Sequence, residues 1–303
     1  MTVSTIKNIT IGQPVRRKGL SIFPLSVPGT RASGAKIADD TLIVTELTSA
    51  NVPELQVHNP GTVPMLIPAG RVLEGGRQTR TVNVSILVPA GATIVIPVSC
   101  VEAGRWHGGH SFRDSKRVTS SEVRRRLARG VKSNLDHTGR KFSDQREVWN
   151  AIDDELRMRS ISHDSSLYLS AYGHVERDPE LRVLAKELIT NGVQPGQTGI
   201  AVAHGGKVIG MEVFASEEDL RASWEALVQS ALLDLSIVDT TVEATATEDD
   251  VRSFVGVFAD SPATTAKGTG IGTEYHVADA AVVGQALVDE TGELLHAFAY
   301  AEA

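Results

Sequence analysis

From residue 7 to about 104, apolar residues come in short runs closed off by proline, glycine or asparagine. The runs are IKNITIG, LSIFPLSV, TLIVTELT, ELQVHN, VPMLIPAGRVL, TVNVSILV and TIVIPVSCVE. They are rich in Val, Ile and Thr and too short for helices, so each predicts a strand. Strands spaced in this way predict an antiparallel β-sandwich or barrel-like lobe over 1–110. From about 119 the period changes. TSSEVRRRLARGV opens with a capping-box pattern, Thr119 to Glu122. SDQREVWNAIDDELRMRS carries Val148, Ile152 and Leu156 at four-residue spacing, with Ser143 as the expected N-cap. DPELRVLAKELITNG predicts a third helix, capped by Asp178, with Pro179 first and Asn191-Gly192 as the stop. Segment 111–192 is therefore expected to be helical, with Gly104–Arg117 as a boundary loop.

The last segment, 193–303, mixes periods. GIAVAHGGKVIGMEVF predicts a hairpin around Gly205-Gly206. SEEDLRASWEALVQSALLDL predicts a helix capped by Ser216, and another is expected near Glu248–Phe258. SPATTAKGTGIGTE reads as a loop. AAVVGQALVDE and ELLHAFAYAE then predict two closing strands joined at Glu290–Gly292. The fold class expected is α+β: a β-rich N-terminal lobe, central helices and a mixed C-terminal portion, which can pack as one unit.

Alternation of side chains along a strand gives this pattern a spatial consequence. In RQTRTVNVSILV the even positions Val82, Val84, Ile86 and Val88 are apolar, and Gln78 and Arg80 share their face. In TIVIPVSCVE the even set is Ile94, Ile96, Val98, Cys100 and Glu102. Pro89–Gly91 suits a three-residue hairpin loop that pairs Val88 with Ala92. That register sets Arg80 opposite Cys100 and Gln78 opposite Glu102, all facing inward. An inward arginine and glutamate cost several kcal/mol unless they pair with each other or with a ligand. Arg105 lies close enough to join them. Two readings stand open here: a polar pocket of Gln78, Arg80, Glu102 and Arg105, or a closed ion-pair network. Gly75, Gly76, Gly104, Gly108 and Gly109 permit close backbone approach around it.

Charge narrows the function classes. The formal net charge is −7, which argues against a generic nucleic-acid binder. The basic runs Arg16–Lys18 and Arg124–Arg129 read as solvated faces rather than phosphate patches. A single cysteine excludes an internal disulfide and fits a reducing cytoplasm. MTVSTIKNITIGQPV has no apolar core of a signal peptide, and no window is long and apolar enough for a membrane span.

Other chemistry is weighed residue by residue. Cys100 has His107 and His110 nearby in sequence, but its mid-strand position reads as a small buried hydrophobe rather than a nucleophile. Cys100, Glu102, His107 and His110 could ligate zinc, yet they match no standard spacing, and no metal is expected. KGTGIGTE offers glycines and a lysine to an anion, but a strand follows it, so a connecting loop is expected. Asp153-Asp154-Glu155 reads as a solvated helix face. SHDSSLY, Ser162–Tyr168, lacks a nucleophile elbow. His296 is expected to be a satisfied core histidine. Trp149 and Trp224 read as core, whereas Trp106 adjoins the polar cluster.

GGRQTRTVN and PVSCVEAGRW together resemble the signature of a bacterial family, the ADP-ribosylglycohydrolase- and rhodanese/phosphatase-superfamily-associated protein domain family. The first motif is met by Gly75, Gly76, Gln78, Arg80 and Asn83. The second is met by Ser99, Cys100, Val101, Glu102, Gly104, Arg105 and Trp106. The C-terminal hairpin and the closing strands are similar to the family too. By genomic association the resemblance implies a role near ADP-ribose or NAD-derived metabolites; it carries over no catalytic residue and no cofactor. Gln78, Arg80, Asn83, Glu102, Arg105 and Trp106 are thus expected to bind an anionic, phosphorylated small molecule. Guanidinium would hold phosphate, Glu102 would orient an arginine or a ribose hydroxyl, and Trp106 would stack. Two alternatives remain: an enzyme with Glu102 as acid or base, or a structural protein with a closed ion network. A protein partner or a homo-oligomer is open under each.

Overall fold

A computed structural model describes residues 6–28, 34–49, 51–104, 107–161, 168–237 and 244–302. In chain order the N-terminal strands are β1 (Thr10–Ile11), β2 (Val15–Arg17), β3 (Leu20–Ser26), β4 (Lys36–Ile37), β5 (Ile43–Thr45) and β6 (Glu54–His58). Next come β7 (Met65–Ile67), β8 (Arg71–Gly75), β9 (Arg80–Val82), β10 (Ile86–Val88), β11 (Thr93–Cys100) and β12 (Ser111–Val118). Four helices follow: α1 (Ser121–Thr138), α2 (Gln145–Met158), α3 (Leu169–Arg177) and α4 (Pro179–Asn191). The chain continues through β13 (Gly199–His204), β14 (Lys207–Phe214), α5 (Glu217–Leu235) and α6 (Glu248–Asp260). It ends with β15 (Thr264–Lys267), β16 (Thr273–Ala278), β17 (Val282–Val288) and β18 (Leu294–Ala301).

The class is α+β, and the expected barrel-like lobe is present. Six strands close a barrel in the order β11-β6-β5-β12-β8-β9, and β10-β7-β4 form a small sheet beside it. The barrel is filled by Val44, Leu55, Val57, Leu73, Val82, Ile96 and Val98. Sheets cut across the segments expected from sequence. The nine-stranded sheet, order β1-β3-β13-β14-β18-β17-β16-β15 with β2 on β3, joins residues 10–26 to the C-terminal strands. Strand alternation explains how it is covered on both faces. Leu20, Ile22 and Ile200 belong to the core on the side where α1 and α5 cover the sheet. Phe23, Leu25, Ala201 and Ala203 turn the other way, onto α6 through Val251, Val255 and Phe258.

Several local expectations shift. The α1 cap is Ser120, whose Oγ accepts from Val123 N–H, because Thr119 is spent on the barrel: its N–H donates to Gly70 O (2.9 Å). The α2 cap is Asp144, not Ser143. Helix α3 was not expected from its short apolar pattern. The boundary loop over Gly104–Arg117 gives way, from Ser111, to β12, which closes the barrel. VPMLIPAGRVL and TVNVSILV each split into two strands, because Pro68–Gly70 turns the chain and residues 83–85 carry it from β9 to β10. The 88-to-92 hairpin therefore does not form. β10 pairs with β7 instead, while β11 pairs first with β6 and then with β9.

The β8–β9 turn requires glycine. Gly76 has φ +53, and a Cβ there would lie 2.1 Å from the Phe112 ring. Gly76→Ala is expected to cost about 2–4 kcal/mol in denaturant unfolding, from strain plus overpacking. Gly91→Ala, also at positive φ but in open space, should cost about 1 kcal/mol.

Candidate functional site

At one end of the barrel the expected register is realised: Arg80 pairs with Cys100, Thr81 with Ser99 and Val82 with Val98. Past the strand, Val101 N–H donates to Thr79 O (3.0 Å), and Gln78 Nε2 donates to Glu102 O (2.9 Å). Gln78, Arg80 and Cys100 share one side. Arg80 Nη1 donates to Gln78 O (2.8 Å), and Cys100 Sγ to Gln78 Oε1 (3.1 Å). The Glu102 carboxylate turns to Thr79, taking its N–H and its hydroxyl at 3.0 Å each. Alternation alone does not separate inside from outside here. Thr79, Thr81 and Ser99 are as buried as Arg80, because α2 packs behind β11. Arg80 itself is fully buried, and Gln78 and Glu102 are nearly so.

Asn83 belongs to a neighbouring tether rather than to this cluster. Its amide donates to Lys141 O (3.3 Å) and its carbonyl accepts from Ser99 Oγ (2.8 Å). Arg105 and Trp106 lie outside the described residues, as does most of SHDSSLY. Two residues that sequence reasoning missed complete the cluster. Gln145 accepts from Cys100 N–H and donates to Cys100 O, satisfying both backbone groups of the last β11 residue. Glu46 is buried, and its Oε1 takes Arg77 N–H (3.0 Å) while its Oε2 has no hydrogen-bond partner among the described residues. Val44 and Glu46 share the inward parity of TLIVTELT, and that signal could have pointed to Glu46.

Cys100 is a buried hydrophobe, as expected. Burial pushes its thiol up to about 11, against the pull of Arg80. The zinc alternative fails on geometry. His107 and His110 are exposed while Cys100 is buried, and the described residues hold no group of three metal-ligating side chains.

The phosphate-loop alternative is closed by the chain's own carboxylate. Glu274 is fully buried at the place where an anion would sit. It accepts from Thr269 N–H (3.0 Å), Lys141 Nζ (2.8 Å) and His276 Nε2 (2.8 Å). Burial raises its pKa, but these partners outweigh burial and hold it below the usual carboxylate range.

A further polar network lies where α1 meets the nine-stranded sheet. Two residues expected on solvated faces are buried in or beside it: Arg124 and Glu155. Arg124 Nη1 donates to Glu212, whose Oε1 meets His296 Nε2 (3.1 Å), and His296 Nδ1 meets Ser85 Oγ (2.8 Å). His296 is thus the satisfied core histidine expected. The serine–histidine–carboxylate chain is buried throughout, and Ser85 Oγ also takes Ala69 N–H (3.2 Å), so it braces the fold. Glu155 takes the hydroxyl of Ser120 and Arg159 Nη1; burial raises it to about 7. Asp234 accepts Ser121 N–H at the start of α1 (3.3 Å), and burial raises it to about 6. Asp234, Arg124 and Tyr300 line an inner cavity of about 30 Å³. An outer cleft of about 560 Å³ shares Ser121, Ile209 and Tyr300 with it. No described helix is long and apolar enough to cross a membrane.

A closed six-stranded barrel set against a nine-stranded sheet, with helices on both faces of that sheet and a polar cluster at the barrel end, defines an α+β protein built around glycine turns and buried carboxylates. The sequence pattern of the ARG and Rhodanese-Phosphatase-superfamily-associated Protein domain matches residues 8–300, and the chain belongs to that family. No curated protein and no solved structure matches it.

Two predictions follow from these environments. Cys100 in the folded protein should resist alkylation at pH 8 and react only on unfolding, as read by intact-mass spectrometry. Asp234 is held above its usual value of 3.8, so folding favours its protonated form. Its stabilising contribution is full below about pH 4 and is lost as pH rises through about 6, by at most about 3 kcal/mol. Denaturant unfolding at pH 4, 5, 6 and 7 should show this slope in the wild type, and Asp234→Asn should reduce it, leaving the share that Glu155, raised to about 7, adds over the same range.

Proposed function

We propose that this protein binds a phosphorylated small molecule, of the ADP-ribose or NAD-derived kind, at the barrel end. Arginine would hold phosphate, and Gln78, Glu102 and Glu46 would meet ribose hydroxyls; Arg105 and Trp106 belong to the same reading. The observation that carries it is Glu46. A carboxylate oxygen buried without a donor costs several kcal/mol, and a ligand hydroxyl would supply that donor. Its backbone N–H donates to His110 O (2.8 Å), so it adjoins the exposed segment 107–110. The formal charge of −7 and the single buried thiol support a cytoplasmic protein that does not bind nucleic acid generically, and the family resemblance supports a bacterial one. The complete burial of Arg80 favours a second reading, in which the cluster is a structural network.

Calorimetric titration with ADP-ribose, ADP and ribose 5-phosphate separates the two. Binding is expected, with affinity about tenfold lower in Glu46→Gln, the worth of one hydrogen bond to a charged group. The unliganded stability of Glu46→Gln should equal or exceed that of the wild type. Absence of binding by all three compounds to a folded sample, with Glu46→Gln clearly destabilised, decides for the structural network.

A further inference from the structure

The cleft over the start of α1 carries a site independent of the barrel end. Three residues that line its inner cavity, Arg124, Asp234 and Tyr300, carry hydrogen-bonding groups of both senses. Tyr300 Oη and Arg124 Nε are buried donors with no hydrogen-bond partner among the described residues. The Asp234 carboxylate is a buried acceptor whose oxygens share one N–H at 3.3 Å. Native interiors leave few such groups unsatisfied, and each costs free energy. The Tyr300 ring reaches this position because Gly210 opposite it has no side chain: a Cβ there would lie 2.5 Å from the ring. Arg124 stacks on that ring at 4.9 Å, so its guanidinium is fixed in place.

The chemistry selects a ligand group. An anion would face Asp234 and Glu212, which line the same cavity, and a cation would face Arg124. A neutral group that both donates and accepts suits all three. Size narrows it further. About 30 Å³ admits one or two oxygen-sized atoms, since a water needs about 10–15 Å³. A hydroxyl fits, and a bulkier carboxamide does not. The outer cleft is large enough for the rest of a small ring, and it offers Lys207, Arg125 and Glu302 to further polar groups beside Val208 and Ile209.

We propose that this cleft is a second binding site and that it takes a polyhydroxylated small molecule, one hydroxyl of which seats between Asp234, Arg124 and Tyr300. That hydroxyl donates to Asp234 and accepts from Tyr300 Oη or Arg124 Nε. D-ribose, D-glucose and myo-inositol, titrated singly against the full chain and followed by saturation-transfer NMR, test it. At least one is expected to bind saturably, and Tyr300→Phe to weaken that binding about tenfold, the effect of one lost hydrogen bond in a buried site. Asp234→Asn should weaken it as well. Tyr300→Phe removes a hydroxyl that holds nothing in the protein, so its unliganded Tm should equal or exceed that of the wild type. Failure of all three compounds to bind overturns the proposal. So does binding that both variants leave unchanged, or an unliganded Tm for Tyr300→Phe several degrees below wild type. Glu46→Gln at the barrel end should leave the binding of these sugars unchanged, so the two sites stand or fall separately.

Discussion

Arg124 holds the layers of this protein together. Its guanidinium is buried, stacked on Tyr300 of β18 and ion-paired with Glu212 of β14. Glu212 passes the interaction to His296, and His296 to Ser85, which lies between two strands of the barrel side. One chain of four side chains thus ties α1, the nine-stranded sheet and the barrel lobe. The Pro68–Gly70 turn closes the circuit at both ends. Ala69 N–H meets Ser85, and Gly70 packs on Arg124 so tightly that a Cβ would lie 2.4 Å from its Cδ. Removing one partner of such a pair leaves a buried charge uncompensated, at a cost of about 3–5 kcal/mol. The geometry of the cleft above α1 follows from this constraint, because Arg124, Glu212 and Tyr300 are also its walls.

A second theme is the use of carboxylates inside the fold as acceptors for irregular backbone. Glu46 takes Arg77 N–H, Glu102 takes Thr79 N–H, Glu274 takes Thr269 N–H and Asp234 takes Ser121 N–H. Each of these N–H groups sits in a turn or at a helix start, where no neighbouring strand or preceding helical turn can supply a carbonyl. In the KGTGIGTE loop this arrangement occupies the anion position outright. At the barrel end and above α1 it leaves acceptor capacity in hand: one oxygen of Glu46, and most of the carboxylate of Asp234. Those two places are where the proposed ligands would have something to complete.

The signature motifs were legible as neighbours in space, and Arg80 and Cys100 do meet, but not through the hairpin whose loop length predicted it. The 83–85 excursion to another sheet and the return along β11 conserve the register, although the predicted 88-to-92 pairing never forms. Facing direction was less legible. With α2 behind the strand and the barrel in front, polar Thr81 and Ser99 are as buried as the apolar positions, and alternation in polarity no longer marks a wet side. For the same reason, Arg124 and Glu155 read as solvated on amphipathic helices whose polar faces in fact meet another layer.

Local pattern determined the β-to-α change near residue 119, the caps at Ser216 and Asp178, and the closing hairpins. Each rests on contacts a few residues apart or on the two-residue period of a strand. Only the tertiary structure decided that residues 10–26 cross over to the C-terminal sheet, that β12 closes the barrel, and which charges are buried. Those outcomes depend on pairing between segments up to about two hundred positions apart, and on whether a second layer covers a face. A one-dimensional pattern records the polarity of a side chain, not what lies opposite it.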